Sequence, residues 1–135
     1  MNILIIDAQG GGIGKQLVAA IKEKMPKAVI TAVGTNTIAT TAMLKAGADN
    51  AATGENAVVV GCRRADVIIG PIGIVIADAL HGEITPIMAL AVGQSMAKRI
   101  LIPINHCNNI IVGVSDFTVG QLIKGVLEEL DQMNA

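Results

Sequence analysis

The stretch Asn2-Ile3-Leu4-Ile5-Ile6-Asp7-Ala8-Gln9-Gly10-Gly11-Gly12-Ile13-Gly14 decides the fold. Its apolar run ends in Asp7, and a glycine cluster follows directly. Beyond it, Ile13, Leu17, Ile21 and Met25 recur at the spacing of one helix face, with Lys15, Lys22, Glu23 and Lys24 falling mostly between them. Strand, glycine turn and helix, in that order, open a phosphate-binding α/β domain. Glycines let the backbone come close to a ligand, and the helix N-terminus offers an anion unpaired N–H groups and a partial positive charge.

Outward from this unit the same alternation continues. The first strand covers Asn2 to Ala8. The first helix begins at Gly12 or Gly14 and stops near Met25, because Pro26 follows. Ala28 to Gly34 reads as the second strand, and Thr35 or Asn36 as the cap of a helix that runs to Ala46 and stops at Gly47. That helix is rich in Ala and Thr, so its packing face is shallow and allows close approach. Asp49 to Gly54 reads as a polar turn. Glu55 to Ala65 is ambiguous, since Val58-Val59-Val60 favours a strand, but the following Cys62-Arg63-Arg64 suits a helix end and a helix is expected. Asp66 to Gly70 is the third strand, and its continuous apolar run predicts burial on both faces.

Gly70-Pro71-Ile72-Gly73 turns the chain, Ile74 to Leu80 reads as a short helix, and His81-Gly82 closes it. Thr85-Pro86 then starts a helix to about Ala97, with Thr as N-cap and Pro at the first helical position. Arg99 to Ile104 is the fourth strand. The link Asn105 to Asn109 is too short for a crossover helix, so Ile110 to Val114 is expected to pair antiparallel as a fifth strand. In the last helix Thr118 and Gln121 form a capping box, Phe117 and Leu122 a hydrophobic staple, and Val119, Leu122, Ile123, Val126, Leu127 and Leu130 one apolar stripe. Right-handed crossovers then give a Rossmann-like three-layer sandwich. Its mostly parallel sheet has order 2-1-3-4-5 in a single domain over residues 1–135.

The bulk composition narrows the function. The 135 residues are 52% hydrophobic and only 16% charged, with a mean hydropathy of +0.60. A chain this small cannot hide so much apolar surface alone, so a homo-oligomer, most simply a dimer, is expected, with the nearly all-apolar Ile87 to Val92 segment as its face. A net charge of -1, a single Phe and no Trp or Tyr exclude the basic patch and stacking platforms of a nucleic-acid binder. The longest apolar stretch, Val67 to Ala77, is interrupted by Gly70, Pro71 and Gly73 and is too short to cross a membrane. Cys62 and Cys107 form no CxxC pair, and no basic signal region precedes the first strand. The chain reads as cytoplasmic with reduced thiols.

The glycine loop fits no single template. Against GxGxxG, Gln9 replaces the first glycine. Against the TGxxxGIG loop of short-chain dehydrogenases, Gly12-Ile13-Gly14 is kept while Asp7-Ala8 replace Thr-Gly. Against the P-loop, Gly14-Lys15 matches the GK pair, but Gln16 stands where a Ser or Thr would hold Mg²⁺. The end of the second strand, Gly34-Thr35-Asn36, has no acid for an NAD ribose and no Arg for an NADP phosphate, although Thr and Asn suit a ribose or phosphate. One glycine suffices for a tight turn; three in a row plus Gly14 favour close approach of a ligand.

Along its whole length the chain resembles a family of short bacterial proteins of unknown function, on the Asp7 to Gly14 loop, Gly34-Thr35-Asn36, Asp66 to Gly73 and Lys98 to Asn105. The resemblance implies a Rossmann-like domain and supplies no catalytic residue.

In such a sheet the ligand lies beyond the strand C-termini, where connections diverge. The expected ligand-binding set is therefore Asp7, Gln9, Gly10, Gly11, Gly12, Ile13 and Gly14, with Gly34, Thr35, Asn36, Gly70, Pro71, Gly73 and Asn105. Asp7 suits either a ribose or Mg²⁺, or the bracing of a turn. Asp78 and Glu83 suit solvated positions near a helix end more than an acid or base role, and Arg63-Arg64 a helix-end charge pair. His106-Cys107 is a nucleophile pair in name only, since neighbours in extended chain point apart. Cys62, His81, His106 and Cys107 lack metal-ligand spacing, so no metal is expected. The leading expectation is binding of a phosphate-bearing small molecule, a nucleotide, by a sensor or carrier. The alternatives are a small oxidoreductase or transferase using a dinucleotide in the same pocket, and an accessory subunit with a purely structural glycine loop.

Overall fold

The computed structural model describes residues 1–104 and 108–134. Its elements are β1 (Asn2–Asp7), α1 (Gly12–Lys24), β2 (Val29–Gly34), α2 (Thr37–Lys45), β3 (Asn50–Thr53), α3 (Glu55–Arg64), β4 (Val67–Pro71), α4 (Pro86–Gln94), β5 (Lys98–Ile102) and α5 (Val119–Asn134). A short 3₁₀ turn, Ile72–Val75, follows β4. The strands form one five-stranded sheet in the order β3-β2-β1-β4-β5, and every neighbouring pair is parallel.

Alternation along β1 shows why the sheet is covered on both sides. Ile3 and Ile5 join Leu17, Val18 and Ile21 of α1, Met43 of α2 and Val126 and Leu130 of α5. Leu4 and Ile6 point the other way, to Val58 and Cys62 of α3 and Met88 and Val92 of α4. The result is three layers, with β1 and β4 at the centre and buried on both faces.

The expected order 2-1-3-4-5 with an antiparallel last strand is corrected at both edges. Asn50–Thr53 is a strand, not a turn, and it extends the sheet beyond β2 with Thr31 opposite Asn50 and Gly34 opposite Thr53. Its side chains are small or polar and do not announce a strand. Backbone pairing holds it, together with the Asp49 carboxylate, which accepts the Ile30 N–H at 2.8 Å and pairs with Lys22 at 2.6 Å. The second correction is at the other edge. Ile110 to Val114 forms no strand, Ile110 and Val112 are exposed, and among the described residues no antiparallel strand pairs with β5. β5 itself ends at Ile102, because Pro103 has no N–H to continue the ladder.

The helix ends follow the sequence closely. Asn36 caps α2 by accepting the Ala39 N–H, and Thr85 caps α4 by accepting the Met88 N–H, with Pro86 next. The capping box of α5 is formed at both ends: the Gln121 N–H donates to Thr118 Oγ1, and the Thr118 N–H donates to Gln121 Oε1. The helix expected over Ile74 to Leu80 is replaced. After the 3₁₀ turn the chain passes through left-handed backbone at Asp78, Leu80, His81 and Gly82. It closes on itself through the Asp78 N–H to the Ile84 carbonyl and the Ile84 N–H to the Ala79 carbonyl.

Candidate functional site

The sheet reverses direction of connection between β1 and β4, and both strands release their chains at the same edge. A cavity of about 380 Å³ opens there. Asp7, Ala8, Gln9, Gly10, Gly12, Ile13 and Gln16 line one side, and Pro71, Leu80, Ile104 and Val119 the other.

The glycines of the β1–α1 loop divide into two kinds. Gly11 has φ +72, and a Cβ there would sit 2.8 Å from the Ala39 Cα, so α2 packs directly on its backbone. A Cβ at Gly14 would lie 2.6 Å from Met43 Sδ and 2.9 Å from Asp7. These two serve packing, as do Gly34 against Thr40, Gly70 against Ile6 and Ile74, and Gly73 against Ala79 and Leu80. Gly10 and Gly12 differ, because a Cβ at either would meet nothing within 4 Å. Gly12 opens α1 with ordinary backbone; the positive φ of the loop belongs to Gly11 and Gln9.

The amides follow the same division. Gly11 N–H donates to the Ala8 carbonyl, Lys15 N–H to the Gly11 carbonyl, and Gly14 N–H to Asp7 Oδ2. Among the described residues the N–H groups of Gly10, Gly12 and Ile13 have no partner. The cap residue Gly11 offers no side chain, and of the α1 amides Asp7 takes only the Gly14 N–H, so the amides of Gly12 and Ile13 are left to the cavity.

Asp7 is a brace. It is only 5% exposed, and its two oxygens accept the N–H groups of Ala8 at 2.8 Å and Gly14 at 2.7 Å. Burial raises its pKa above the ordinary value of 3.8; the two N–H bonds act against that shift, and Glu83 adds to it.

The second strand end holds an unexpected group. Glu83, from the loop before α4, reaches over the tips of β1 and β2. Its Oε1 accepts the Thr35 hydroxyl at 2.7 Å, the Asn36 amide at 2.7 Å and the Gln9 N–H at 3.1 Å. Burial opposes its ionisation, but the bonds from Thr35, Gln9 and Asn36, with His81 nearby, outweigh this and hold Glu83 below the ordinary carboxylate range. Asn36 also donates to the Gln9 carbonyl at 2.9 Å. Thr35, Asn36, Gln9 and Glu83 thus form one polar cluster beside the cavity.

Residues 2–135 match a family described as a domain of unknown function, DUF3842. The chain belongs to this family. No curated protein matches it in sequence. Among solved structures it is similar to the dodecameric FMN-dependent UbiX-like decarboxylase from Escherichia coli O157:H7, with a TM-score of 0.45 and 18% identity. That match covers 100% of this chain and 96% of the other. A likeness at that level assigns neither a ligand nor an assembly to the DUF3842 chain.

Of the residues expected from sequence, the structure brings Asp7, Gln9, Gly10, Gly12, Ile13 and Pro71 to the cavity and sets Thr35 and Asn36 beside it. Gly11, Gly14, Gly34, Gly70 and Gly73 lie behind it as packing positions. Asn105, His106 and Cys107 lie outside the described residues. Lys15, the lysine of the P-loop-like pair, lines a separate groove with Thr37, Ile38, Thr41 and Lys45 of α2, and among the described residues no Lys or Arg lines the cavity. Cys62 is buried in the α3–α4 layer, and burial pushes its thiol up to about 11, away from nucleophilic use. Among the described residues no three His, Cys, Asp or Glu side chains are grouped to hold a metal, and no helix is long and apolar enough to cross a membrane. Sequence reading set Glu83 aside as a solvated position and missed Leu80, Ile104 and Val119. Leu80 and Glu83 sit on the irregular loop after β4, where no periodicity or motif marks which side chain turns inward.

Proposed function

We propose that this DUF3842 protein is a cytoplasmic small-molecule-binding protein whose ligand places a phosphate over the open amides of Gly10, Gly12 and Ile13. The observation that carries the reading is the coincidence of those open amides at the N-terminus of α1 with the cavity at the point where the sheet connections diverge. With Asp7 in the lining and no Lys or Arg among the described residues there, the site suits a phosphate of low charge, a monoester or diester, and disfavours a polyphosphate. A nucleotide or dinucleotide with such a phosphate fits. Asp7 is already engaged by two backbone N–H groups and Asn36 by its cap, which supports binding rather than turnover. Homo-oligomerisation, most simply as a dimer, accompanies this reading on the exposed apolar side chains of α4.

The test is Gly12→Val, read as a thermal shift with inorganic phosphate and adenosine monophosphate. Its side chain enters the cavity, and the backbone of Gly12 accepts it without strain. The expected result is an unchanged melting point without ligand and loss of the ligand-induced shift. A variant that folds normally and keeps the full shift overturns the reading.

A further inference from the structure

We infer that Glu83 is the group that recognises a sugar diol on the ligand, which makes the ligand class a ribose-type phosphate ester with free vicinal hydroxyls. This deepens the proposed phosphate site and rests on it. In dinucleotide-binding sheets an acid at the end of the second strand accepts the ribose hydroxyls. Here that strand ends in Gly34-Thr35-Asn36 without an acid. The carboxylate arrives from a different element and stops at the same place, where Thr35 and Asn36 hold it at 2.7 Å each.

The division of labour within the carboxylate supports a ligand role. Among the described residues Oε1 takes all three donors, while Oε2 accepts nothing. A clasp that only tied loops together would need no more than the first oxygen. The second remains an acceptor on a half-buried, ionised group. The Gln9 N–H that binds Glu83 also joins the two sites: the next amide along the chain, Gly10, is the first of the open set. A sugar carrying a phosphate on one side and hydroxyls on the other matches donors beside Gly10 and an acceptor at Glu83. A second phosphate on the sugar would meet the carboxylate and be rejected.

The loop geometry explains how an acid comes to be there. Ala79, Leu80 and Ile84 are buried under the sheet edge, and the turn between them requires left-handed backbone at Leu80, His81 and Gly82. That turn sets Glu83 facing back over β1 and β2. Leu80 meanwhile lines the cavity on the Pro71 side, so one loop contributes an apolar wall and a polar acceptor.

The experiment is a ¹⁵N-NMR titration of the full chain with inorganic phosphate, ribose 5-phosphate and 2-deoxyribose 5-phosphate, repeated on Glu83→Gln. Gln keeps an acceptor for Thr35, Asn36 and Gln9 and replaces the open oxygen by a donor. Expected are shifts at Gly10, Gly12 and Ile13 with all probes, ribose 5-phosphate binding about tenfold tighter than its deoxy analogue, and loss of that ratio in Glu83→Gln. Phosphate binding at those amides with equal affinity for both sugars overturns the Glu83 assignment and leaves the phosphate site standing. A diol preference that survives Glu83→Gln does the same. Absence of shifts at these amides with every probe overturns both.

Discussion

Asp7 Oδ2 accepts the N–H of Gly14 at 2.7 Å, joining the last residue of β1 to the first turn of α1. The bond does the work of an N-cap from outside the helix, because the residue at the cap position, Gly11, has no side chain to offer. It also explains why the buried carboxylate is tolerated: both oxygens face N–H groups. An Asp7→Asn amide has a single acceptor oxygen, so either Ala8 or Gly14 N–H would face an NH₂ group, at a cost of about 1–3 kcal/mol. Because the folded pKa of Asp7 is raised, its contribution to stability is present below 3.8 and is lost as pH rises through the folded value. Urea unfolding should therefore show a larger gap between wild type and Asp7→Asn in acid than at neutral pH.

The neighbouring glycines should respond in opposite ways to one added methyl group. Gly14→Ala places a Cβ against Met43 and Asp7, and the overpacking should destabilise by about 1–3 kcal/mol despite the better helix propensity of Ala. Gly12→Ala meets no atom within 4 Å and should be neutral or stabilising by up to about 1 kcal/mol. Thermal melts of the two variants, compared side by side, check both.

This contrast also marks where sequence reading stops. Periodicity and capping were enough for β1, α1, the Thr85-Pro86 start and the Thr118–Gln121 box, because each signal is local and repeats a backbone requirement. The α/β class with a parallel five-stranded sheet was legible too, since continuous apolar strands separated by helices leave few alternatives, but the full strand order was not. β3 was not legible. Asn50-Ala51-Ala52-Thr53 has no apolar pattern, and only its position beside β2 makes it a strand. Ile110 to Val114 failed in the reverse sense, as a β-prone run that the described fold leaves unpaired. In the loop, a row of glycines said that side chains were unwelcome. It did not say whether protein or ligand was the reason: for Gly11 and Gly14 it is protein.

Glu83 should dominate part of the acid limb of stability. Its folded pKa lies below 4.5, so its contribution is present above that value and is lost as pH falls through the folded value. Glu83→Gln should flatten the fall in melting temperature between about pH 5 and pH 3. Some slope should remain, because Asp49, held by the Ile30 N–H and by Lys22, is likewise lowered from 3.8. Equal slopes in the two proteins would remove Glu83 from the linkage.

The capping box of α5 offers a local test. Thr118→Ala leaves the Gln121 N–H without its side-chain acceptor and should cost about 1 kcal/mol. Hydrogen exchange should accelerate in the first turn of α5, while amides around Val126 and Leu130, which pack into the α1 layer, keep their protection.

The last prediction concerns assembly. On α4, Met88 and Val92 face the sheet, but Ile87 is 53% and Leu90 56% exposed, and the nearby Met96 is fully so at 100%. They border a groove of about 730 Å³ shared with Val59, Cys62 and Ala65, at the opposite edge of the sheet from the glycine loop. A surface helix normally turns charges outward; this one has none in Pro86–Gln94. Burying such a face against a second copy removes apolar area from water at about 25 cal/mol per Å², and a two-fold arrangement needs only this one patch. Sedimentation velocity at tens of micromolar should give a dimer for the wild type. Leu90→Glu should give a monomer with unchanged circular dichroism, since the side chain is not part of the monomer core. A wild-type monomer at that concentration rules the α4 interface out, and a Leu90→Glu dimer moves it to another face.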